Sequence, residues 1–189
     1  LILNFTICGG PDTGKTALIK RLVDDDFSET KLESYVDTVT VNTKVDGYSI
    51  QANFCERGND AFSKQASTDP GARGDIMFYL YNATDRESFE NTMNVYTYFV
   101  RLNDSSIIYL VASFTDEGKR AVTMTEGKEA VNSQEGFYAE VSSKTGDGVK
   151  ELFEASVRNY MNSEIKSIKE RVQQFKSTNK ASKKKRSEE

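Results

Sequence analysis

One glycine-rich segment has the residue types and the spacing that phosphate binding requires. Residues 9–16 read Gly-Gly-Pro-Asp-Thr-Gly-Lys-Thr and match the pattern GxxxxGK[ST] in full. The segment follows an apolar, strand-like run and opens a run with helical spacing, which is the context in which this pattern binds phosphate. Backbone amides can curl around the phosphates there, and the helix N-terminus adds a favourable dipole.

Two side chains of this phosphate loop, defined as residues 9–16, could do chemistry. Lys15 would bridge the terminal phosphates and stabilise charge during catalysis, and the Thr16 hydroxyl would ligate Mg²⁺. The other expected nucleotide-binding residues of this region are Gly10, Pro11, Asp12, Thr13, Gly14 and Ala17. Phosphate binding alone does not separate guanine from adenine, or a GTPase from a kinase.

Composition excludes several other kinds of site. The chain of 189 residues contains no histidine, which removes His-based triads, His general bases and most zinc sites. Its two cysteines, Cys8 and Cys55, lie in apolar runs and are interpreted as buried thiols of a reducing cytoplasm. No run approaches the roughly 18 to 20 apolar residues that cross a bilayer.

Charge is distributed unevenly along the chain. Residues 176–189 hold six basic residues against two acidic ones, so the rest of a chain with net charge −4 carries about −8. An acidic body argues against nucleic-acid binding. The basic run could bind weakly to anionic lipid, with a favourable free energy of ~1 kcal/mol per charge, or it could be a solvated terminus. We expect a cytoplasmic protein with at most a peripheral membrane contact.

The elements that must position the phosphate loop alternate between strands and helices. Apolar runs predict buried strands at 1–8, 76–81, 107–112 and 137–141. Helical spacing predicts helices at 15–23, 86–102 and from about 147. Residues 35–45 and 48–55 flank Asp46-Gly47, which is a hairpin signal. This order predicts an α/β fold with a six-stranded, mostly parallel sheet, one antiparallel edge strand and helices on both faces.

We expect one domain over residues 1–162, followed by a change of character. An amphipathic stripe extends the last helix over residues 163–176, with apolar residues at spacings of 3, 4 and 3: Ile165, Ile168, Val172 and Phe175. The stripe could pack on the domain's own flank or contact a partner helix or second domain. Residues 177–189 are rich in lysine and serine and are predicted to be a disordered basic tail.

Over about residues 3–161 the chain resembles the Ras superfamily of small GTPases, and its motifs are most similar to those of the Rab branch. Besides the phosphate loop, the resemblance is carried by Asp46-Gly47, by residues 81–89 (YNATDRESF) and by residues 140–146 (EVSSKTG). It implies a P-loop G domain that binds GTP or GDP with Mg²⁺. Such a protein would act as a molecular switch in vesicle trafficking or signalling and would present its switch regions to effectors and regulators.

The resemblance also implies how the base is read. The family's NKxD motif appears as Ser113-Phe114-Thr115-Asp116, in which only the aspartate is kept. The Asp116 carboxylate would accept hydrogen bonds from guanine N1–H and N2–H₂, donors that adenine lacks, and such a site can discriminate by ~10⁴. Phe114 could cover one base face by stacking in place of a lysine stem. Ser113, in place of asparagine, is expected to weaken the scaffolding of the loop.

Four further residues complete the base site that the resemblance implies. Phe27 would lie at the edge of the base, and Lys144 would cover its second face. The backbone N–H of Ser143 would meet the guanine carbonyl, and Ser142 belongs to the same loop.

The switch regions depart from the family pattern. Counting from Lys15 places Ser34 at the switch-one threonine that touches Mg²⁺, and Glu56 at the aspartate behind the metal's direct ligands. The same count places Asp60 at the glutamine that orients the attacking water, and a one-residue shift would place Asn59 there. Either way the glutamine is missing, so hydrolysis is expected to be weak at best or absent.

Three functions stay open on these grounds. The first is a GTP/GDP switch with slow or impaired hydrolysis, and the second is a pseudo-GTPase scaffold that holds a nucleotide without cycling. A P-loop kinase of small substrates is the third, but it lacks an arginine-rich lid and leaves Asp116 unexplained. In this sequence no cysteine follows Cys55, so the C-terminal segment offers no prenylation site.

Overall fold

The computed structural model describes residues 1–27, 38–58, 74–102, 106–132 and 136–186. Its strands are β1 (Ile2–Gly9), β2 (Val39–Val45), β3 (Tyr48–Gly58), β4 (Ile76–Asn82), β5 (Ile107–Ser113) and β6 (Phe137–Glu140). Its helices are α1 (Lys15–Asp24), α2 (Arg86–Leu102), α3 (Met124–Asn132) and α4 (Val149–Arg186).

The six strands form one sheet in the order β2-β3-β1-β4-β5-β6. Only β2 and β3 run antiparallel, and every other neighbouring pair is parallel. The hairpin turns at Asp46 and Gly47, whose φ angles of 50° and 84° are those of the two-residue turns that match strand twist. The predicted α/β class, with its mostly parallel sheet and antiparallel edge strand, is confirmed.

Helices cover both faces of the sheet. On one face, residues of α1 and α4 such as Leu18 and Val157 share a buried cluster with Phe5 and Phe78. On the other, side chains of α2 and α3, including Tyr96, pack with Cys8 of β1 and with alternate residues of β4 and β5. Burial on both faces explains why the central strands are continuously apolar. Cys8 is buried in the second cluster, where burial raises the pKa of its thiol, and Cys55 is half-buried.

The last helix differs from the sequence-based expectation. It continues to Arg186 and so includes much of the segment predicted to be disordered. No glycine or proline follows Gly148, and lysine, glutamine and alanine are favourable in helices, so nothing in the sequence stops α4. Within the part of the chain that the structure describes, no helix has the length and apolar character needed to span a bilayer.

Candidate functional site

The predicted site residues meet at one edge of the sheet, where the parallel strands end. Pairing of Gly9 with Leu80 and of Asn82 with Ser113 brings the carboxyl ends of β1, β4 and β5 side by side. The end of β6 at Glu140 pairs with the same part of β5. This edge is where open parallel sheets bind ligands, because loops rather than backbone pairing follow each strand.

Two glycines of the phosphate loop are required by its geometry. A Cβ on Gly9 would lie 2.5 Å from Thr13 Oγ1 and 2.8 Å from the Leu80 carbonyl oxygen, so no larger residue fits. Gly14, immediately before α1, has a φ of 85°, in the left-handed region that glycine tolerates best. The chain can therefore turn sharply from β1 into the N-terminus of α1.

Two side chains fold back over the loop. The Thr13 hydroxyl donates a hydrogen bond of 2.9 Å to the Gly10 carbonyl oxygen, and Lys15 Nζ donates one of 2.7 Å to the same oxygen. Lys15 is buried. The lysine ammonium is thereby held against the loop, at the position from which it would meet phosphate oxygens.

Thr16 and Glu56 form the contact that fits a magnesium site. The Thr16 hydroxyl lies 2.9 and 3.1 Å from the two carboxylate oxygens of Glu56, to which it donates, and Lys15 Nζ lies 4.0 Å from Glu56 Oε1. A hydroxyl that gives its hydrogen to a carboxylate keeps its lone pairs for a metal, so the residues fit Mg²⁺. Among the described residues no group of three or more acidic, cysteine or histidine side chains could hold a metal.

A pocket of about 220 Å³ opens beside the phosphate loop. Its walls come from both ends of α1, the end of β5 with the loop after it, and the loop after β6: Gly14, Ala17, Phe27, Ser113, Phe114, Asp116, Glu117, Ser143 and Lys144. Residues that the sequence assigned to phosphate binding and to base reading therefore line one cavity. Glu117 was not among the predicted residues.

Ser142 positions the carboxylate of Asp116. Its hydroxyl donates a hydrogen bond of 2.7 Å to Asp116 Oδ1 and accepts one of 3.1 Å from the Thr145 backbone N–H. The hydroxyl thus links the loop after β5 to the loop after β6. Since one carboxylate oxygen is tied to the protein, the orientation of the other is restricted as well.

Ser113 ties three segments together at the floor of the pocket. Its hydroxyl oxygen lies 2.8 Å from the carbonyl oxygens of both Thr13 and Tyr81. We expected this serine to weaken the scaffolding, but it contacts the phosphate loop and β4 directly. The short serine side chain is long enough to make both contacts because β4 and β5 are adjacent and the Thr13 carbonyl lies close to the end of β5.

Phe114 stands against the phosphate loop rather than away from it. Its φ of 57° places it in the left-handed region, and a Cβ on Gly14 would lie 3.2 Å from its Cε2. The aromatic ring therefore forms part of the pocket wall directly beside Gly14.

Arg21 braces the loop after β6 and was missed by sequence reasoning. Its Nε donates a hydrogen bond of 2.8 Å to the Ser143 carbonyl oxygen, and its Nη2 donates one of 2.8 Å to that of Lys144. These acceptors lie 122 and 123 residues away in sequence. The sequence gives no indication of such a contact, because an arginine in the last turn of a helix is already explained by its favourable interaction with the helix dipole.

The strand that leads into this loop is anchored by an ion pair. Arg120 donates to both carboxylate oxygens of Glu140, at 3.1 and 2.6 Å, and the Tyr138 hydroxyl donates to Oε1 at 2.7 Å. Burial raises the pKa of Glu140, but the hydrogen bonds from Arg120 and Tyr138 outweigh burial and hold that pKa below its usual value. The pair therefore stabilises the ionised carboxylate.

Some predicted residues are not placed at the site. Ser34, Asn59 and Asp60 lie outside the described residues, so their roles at the switch regions stay predictions. Pro11 and Asp12 are exposed at the tip of the phosphate loop.

Comparison with known proteins agrees with this geometry. The model of the Ras family matches residues 4–162. Ras-related protein Rab-18 of Caenorhabditis elegans is 32% identical over 159 residues, covering 80% of this chain and 76% of the relative. RhoH, a Rho-related GTP-binding protein of Bos taurus, is 27% identical over 165 residues, covering 82% and 86%. Ras-related protein SEC4 of Candida albicans is 26% identical over 162 residues, covering 81% and 74%. The chain belongs to the Ras superfamily of small GTPases and is similar to the Rab branch.

Proposed function

We propose that the chain is a guanine-nucleotide switch that holds GTP or GDP with Mg²⁺ and hydrolyses GTP slowly. The observation that carries the proposal is the shared pocket, in which Gly14 of the phosphate loop and Asp116 line the same cavity. A nucleotide has the same two-ended chemistry, with phosphates at one end and a base at the other. Vesicle trafficking or signalling is the setting that family membership supports, with effectors and regulators meeting the segments aligned with the family's switches.

Guanine selectivity in this proposal comes from Asp116. With Oδ1 engaged by Ser142, the carboxylate is oriented to accept hydrogen bonds from the guanine N1–H and N2–H₂ groups. Adenine offers an acceptor in place of the first donor and nothing in place of the second, so its binding would leave the carboxylate without a hydrogen-bond donor from the base. The Ser143 N–H would donate to the guanine carbonyl, and Phe114 with Lys144 would cover the base faces.

Phosphate and metal binding in this proposal rest on Lys15, Thr16 and Glu56. The Lys15 ammonium exchanges its carbonyl acceptor at Gly10 for phosphate oxygens, which are stronger partners because they are charged. Thr16 offers its hydroxyl oxygen to Mg²⁺, and Glu56 holds that hydroxyl in place. Bound Mg²⁺ supplies positive charge that neutralises the β- and γ-phosphate oxygens.

Slow hydrolysis follows from the residues at the family's glutamine position. Asp60 lacks the amide that orients water and would add negative charge beside the γ-phosphate, whereas Asn59 carries an amide on a side chain one methylene shorter than that of glutamine. We expect a single-turnover rate at or below roughly 10⁻⁴ s⁻¹, the unaided rate of Ras itself.

A non-cycling scaffold is the second candidate. The sequence Glu56 to Asp60, which lacks the glutamine, favours it, whereas the complete phosphate loop favours retained nucleotide binding. In the scaffold the nucleotide would stabilise the fold by mass action without being consumed.

Single-turnover assays with GTP and ATP in parallel test the proposal. Cleavage of bound GTP, however slow, with no uptake of ATP supports the switch. Tight GTP binding without cleavage over several days selects the scaffold. Preference for ATP contradicts both the switch and the scaffold and favours the kinase alternative.

A further inference from the structure

Four apolar side chains on the distal part of α4 are exposed, and we call them the α4 stripe: Ile165, Ile168, Val172 and Phe175. Their exposed fractions are 48%, 55%, 46% and 69%, respectively. Within the part of the chain that the structure describes, they do not belong to the core that packs α4 on the domain's own flank, which was one of the two alternatives left open by the sequence. Aligned apolar side chains that stay exposed on one helix face mark a contact surface.

The width of the α4 stripe indicates what kind of surface fits it. At about 100° per residue, spacings of 3, 4 and 3 place the four side chains within about 80° of the helix circumference. Helices that lie on a core or in a membrane interface present a broader apolar face, whereas a strip this narrow matches the seam of two paired helices. Along the axis the stripe is about 15 Å long, or about one and a half heptads.

Charges beside the α4 stripe define the partner further. In heptad terms the positions that flank the seam are Glu164, Lys169, Arg171 and Lys176, so three of the four are basic. From Glu164 to Arg186 the chain holds nine basic residues against two acidic ones. An amphipathic helix with aspartate or glutamate beside its own seam complements this pattern.

A second copy of this chain fits less well. Parallel pairing would place Glu164 near Lys169 of the other copy, which is favourable, but Arg171 near Lys176, which is not. Antiparallel pairing would place Glu164 near Arg171 but Lys169 near Lys176. Two-fold symmetry repeats each unfavourable pair, so both orientations retain like-charge repulsion.

We propose that the α4 stripe docks an amphipathic helix of another protein, one whose apolar seam is flanked by acidic residues. The stripe lies on the helix beyond the domain, so this inference does not depend on the nucleotide proposal. Binding should weaken as salt rises, because exposed charges such as those of Lys169 and Arg171 are screened.

Two designed helical peptides test the proposal with the full chain. Both carry the same isoleucine and leucine seam over three heptads, one with glutamate and the other with lysine at the flanking positions. Fluorescence anisotropy should show the acidic-flanked peptide binding at least about tenfold more tightly. The double variant Ile168→Ser with Val172→Ser should weaken that binding by about tenfold or more, since it removes two buried aliphatic contacts.

The matched control is Gln173→Ser with Gln174→Ser, which makes two serine substitutions in the same helix away from the stripe and should leave peptide binding unchanged. Circular dichroism of each variant checks that α4 is retained.

Equal binding by the stripe variant, or no binding of either peptide, overturns the proposal. So does sedimentation showing a homodimer that the stripe variant abolishes. Stripe-dependent binding to phosphatidylserine vesicles, with no affinity for the acidic peptide, would assign the surface to membranes instead.

Discussion

The hydroxyl of Ser142 donates a hydrogen bond of 2.7 Å to Asp116 Oδ1 across 26 residues of sequence. The contact joins the loops that follow β5 and β6, and it fixes the one acidic residue that the base-reading motif retains. A selective carboxylate depends on its orientation as well as its charge. The Ser142–Asp116 pair is therefore the structural basis for expecting guanine selectivity.

Replacing Ser142 with alanine should weaken GDP binding by about three- to tenfold. The substitution removes one hydrogen bond worth roughly 0.5–1.5 kcal/mol and frees the Asp116 carboxylate to rotate. Titration with a fluorescent GDP analogue measures the change, and Ser163→Ala on the exposed part of α4 is the control. Unaltered affinity would show that Asp116 needs no support from this hydroxyl.

Arg21→Ala should release GDP several times faster than the unchanged chain. Two hydrogen bonds from this guanidinium hold the carbonyls of Ser143 and Lys144. Their loss should let the loop after β6 open more often. Displacement of the fluorescent analogue by excess GDP gives the dissociation rate. Arg101→Ala, in the last turn of α2, is the matched control, and equal dissociation rates for all three proteins would count against the bracing role.

Glu56→Gln should raise the free Mg²⁺ concentration needed to retain GDP by about 10- to 100-fold, the usual cost of losing a group that orients a metal ligand. An amide accepts the Thr16 hydrogen bond less strongly than a carboxylate and removes the negative charge near the metal. Nucleotide release during a chelator titration measures the shift. Glu151→Gln, on the exposed side of α4, should behave as the unchanged chain does.

Glu140→Gln should lower the free energy of unfolding at pH 7 by about 1–3 kcal/mol, because it breaks charge-assisted hydrogen bonds. The pKa of Glu140 in the folded protein lies below its ordinary value of 4.5, so its stabilising contribution is present above that pH. As pH falls through the folded-state pKa, the carboxylate is protonated and the contribution is lost.

Denaturant unfolding at pH 7 and at successively lower pH follows this difference. The gap between Glu140→Gln and the unchanged chain should narrow below pH 4.5, while Glu170→Gln should track the unchanged chain throughout. A gap that stays constant across the acidic range would mean that the ion pair with Arg120 is not its source.

The sheet could be predicted from sequence because each signal was local. Buried parallel strands such as β4 are continuously apolar, and Asp46-Gly47 specifies its turn through positive φ angles. The phosphate loop is likewise a contiguous pattern, so its glycine geometry follows from eight neighbouring residues. The end of α4 was not predictable in this way, because a lysine- and serine-rich composition suits a charged helix as well as a solvated chain.

Long-range contacts account for what the sequence did not reveal. Arg21 reaches carbonyls more than a hundred residues away, and Ser113 bridges the phosphate loop to β4 with a hydroxyl that looks like a loss beside asparagine. Neither contact can be recognised from a sequence motif, because the acceptors are backbone carbonyls, which every residue type has. Glu117 lines the same pocket as its neighbour Asp116.

Calorimetric titration of the full chain with Mg²⁺ and either GDP or XDP, the xanthosine nucleotide, tests the central claim most directly. We predict that the unchanged chain prefers GDP, and that Asp116→Asn reverses this preference toward XDP, because an amide there matches the carbonyl that xanthine carries in place of the guanine amino group. Failure of the unchanged chain to take up GDP, or identical selectivity in the variant, would contradict the assignment of this pocket.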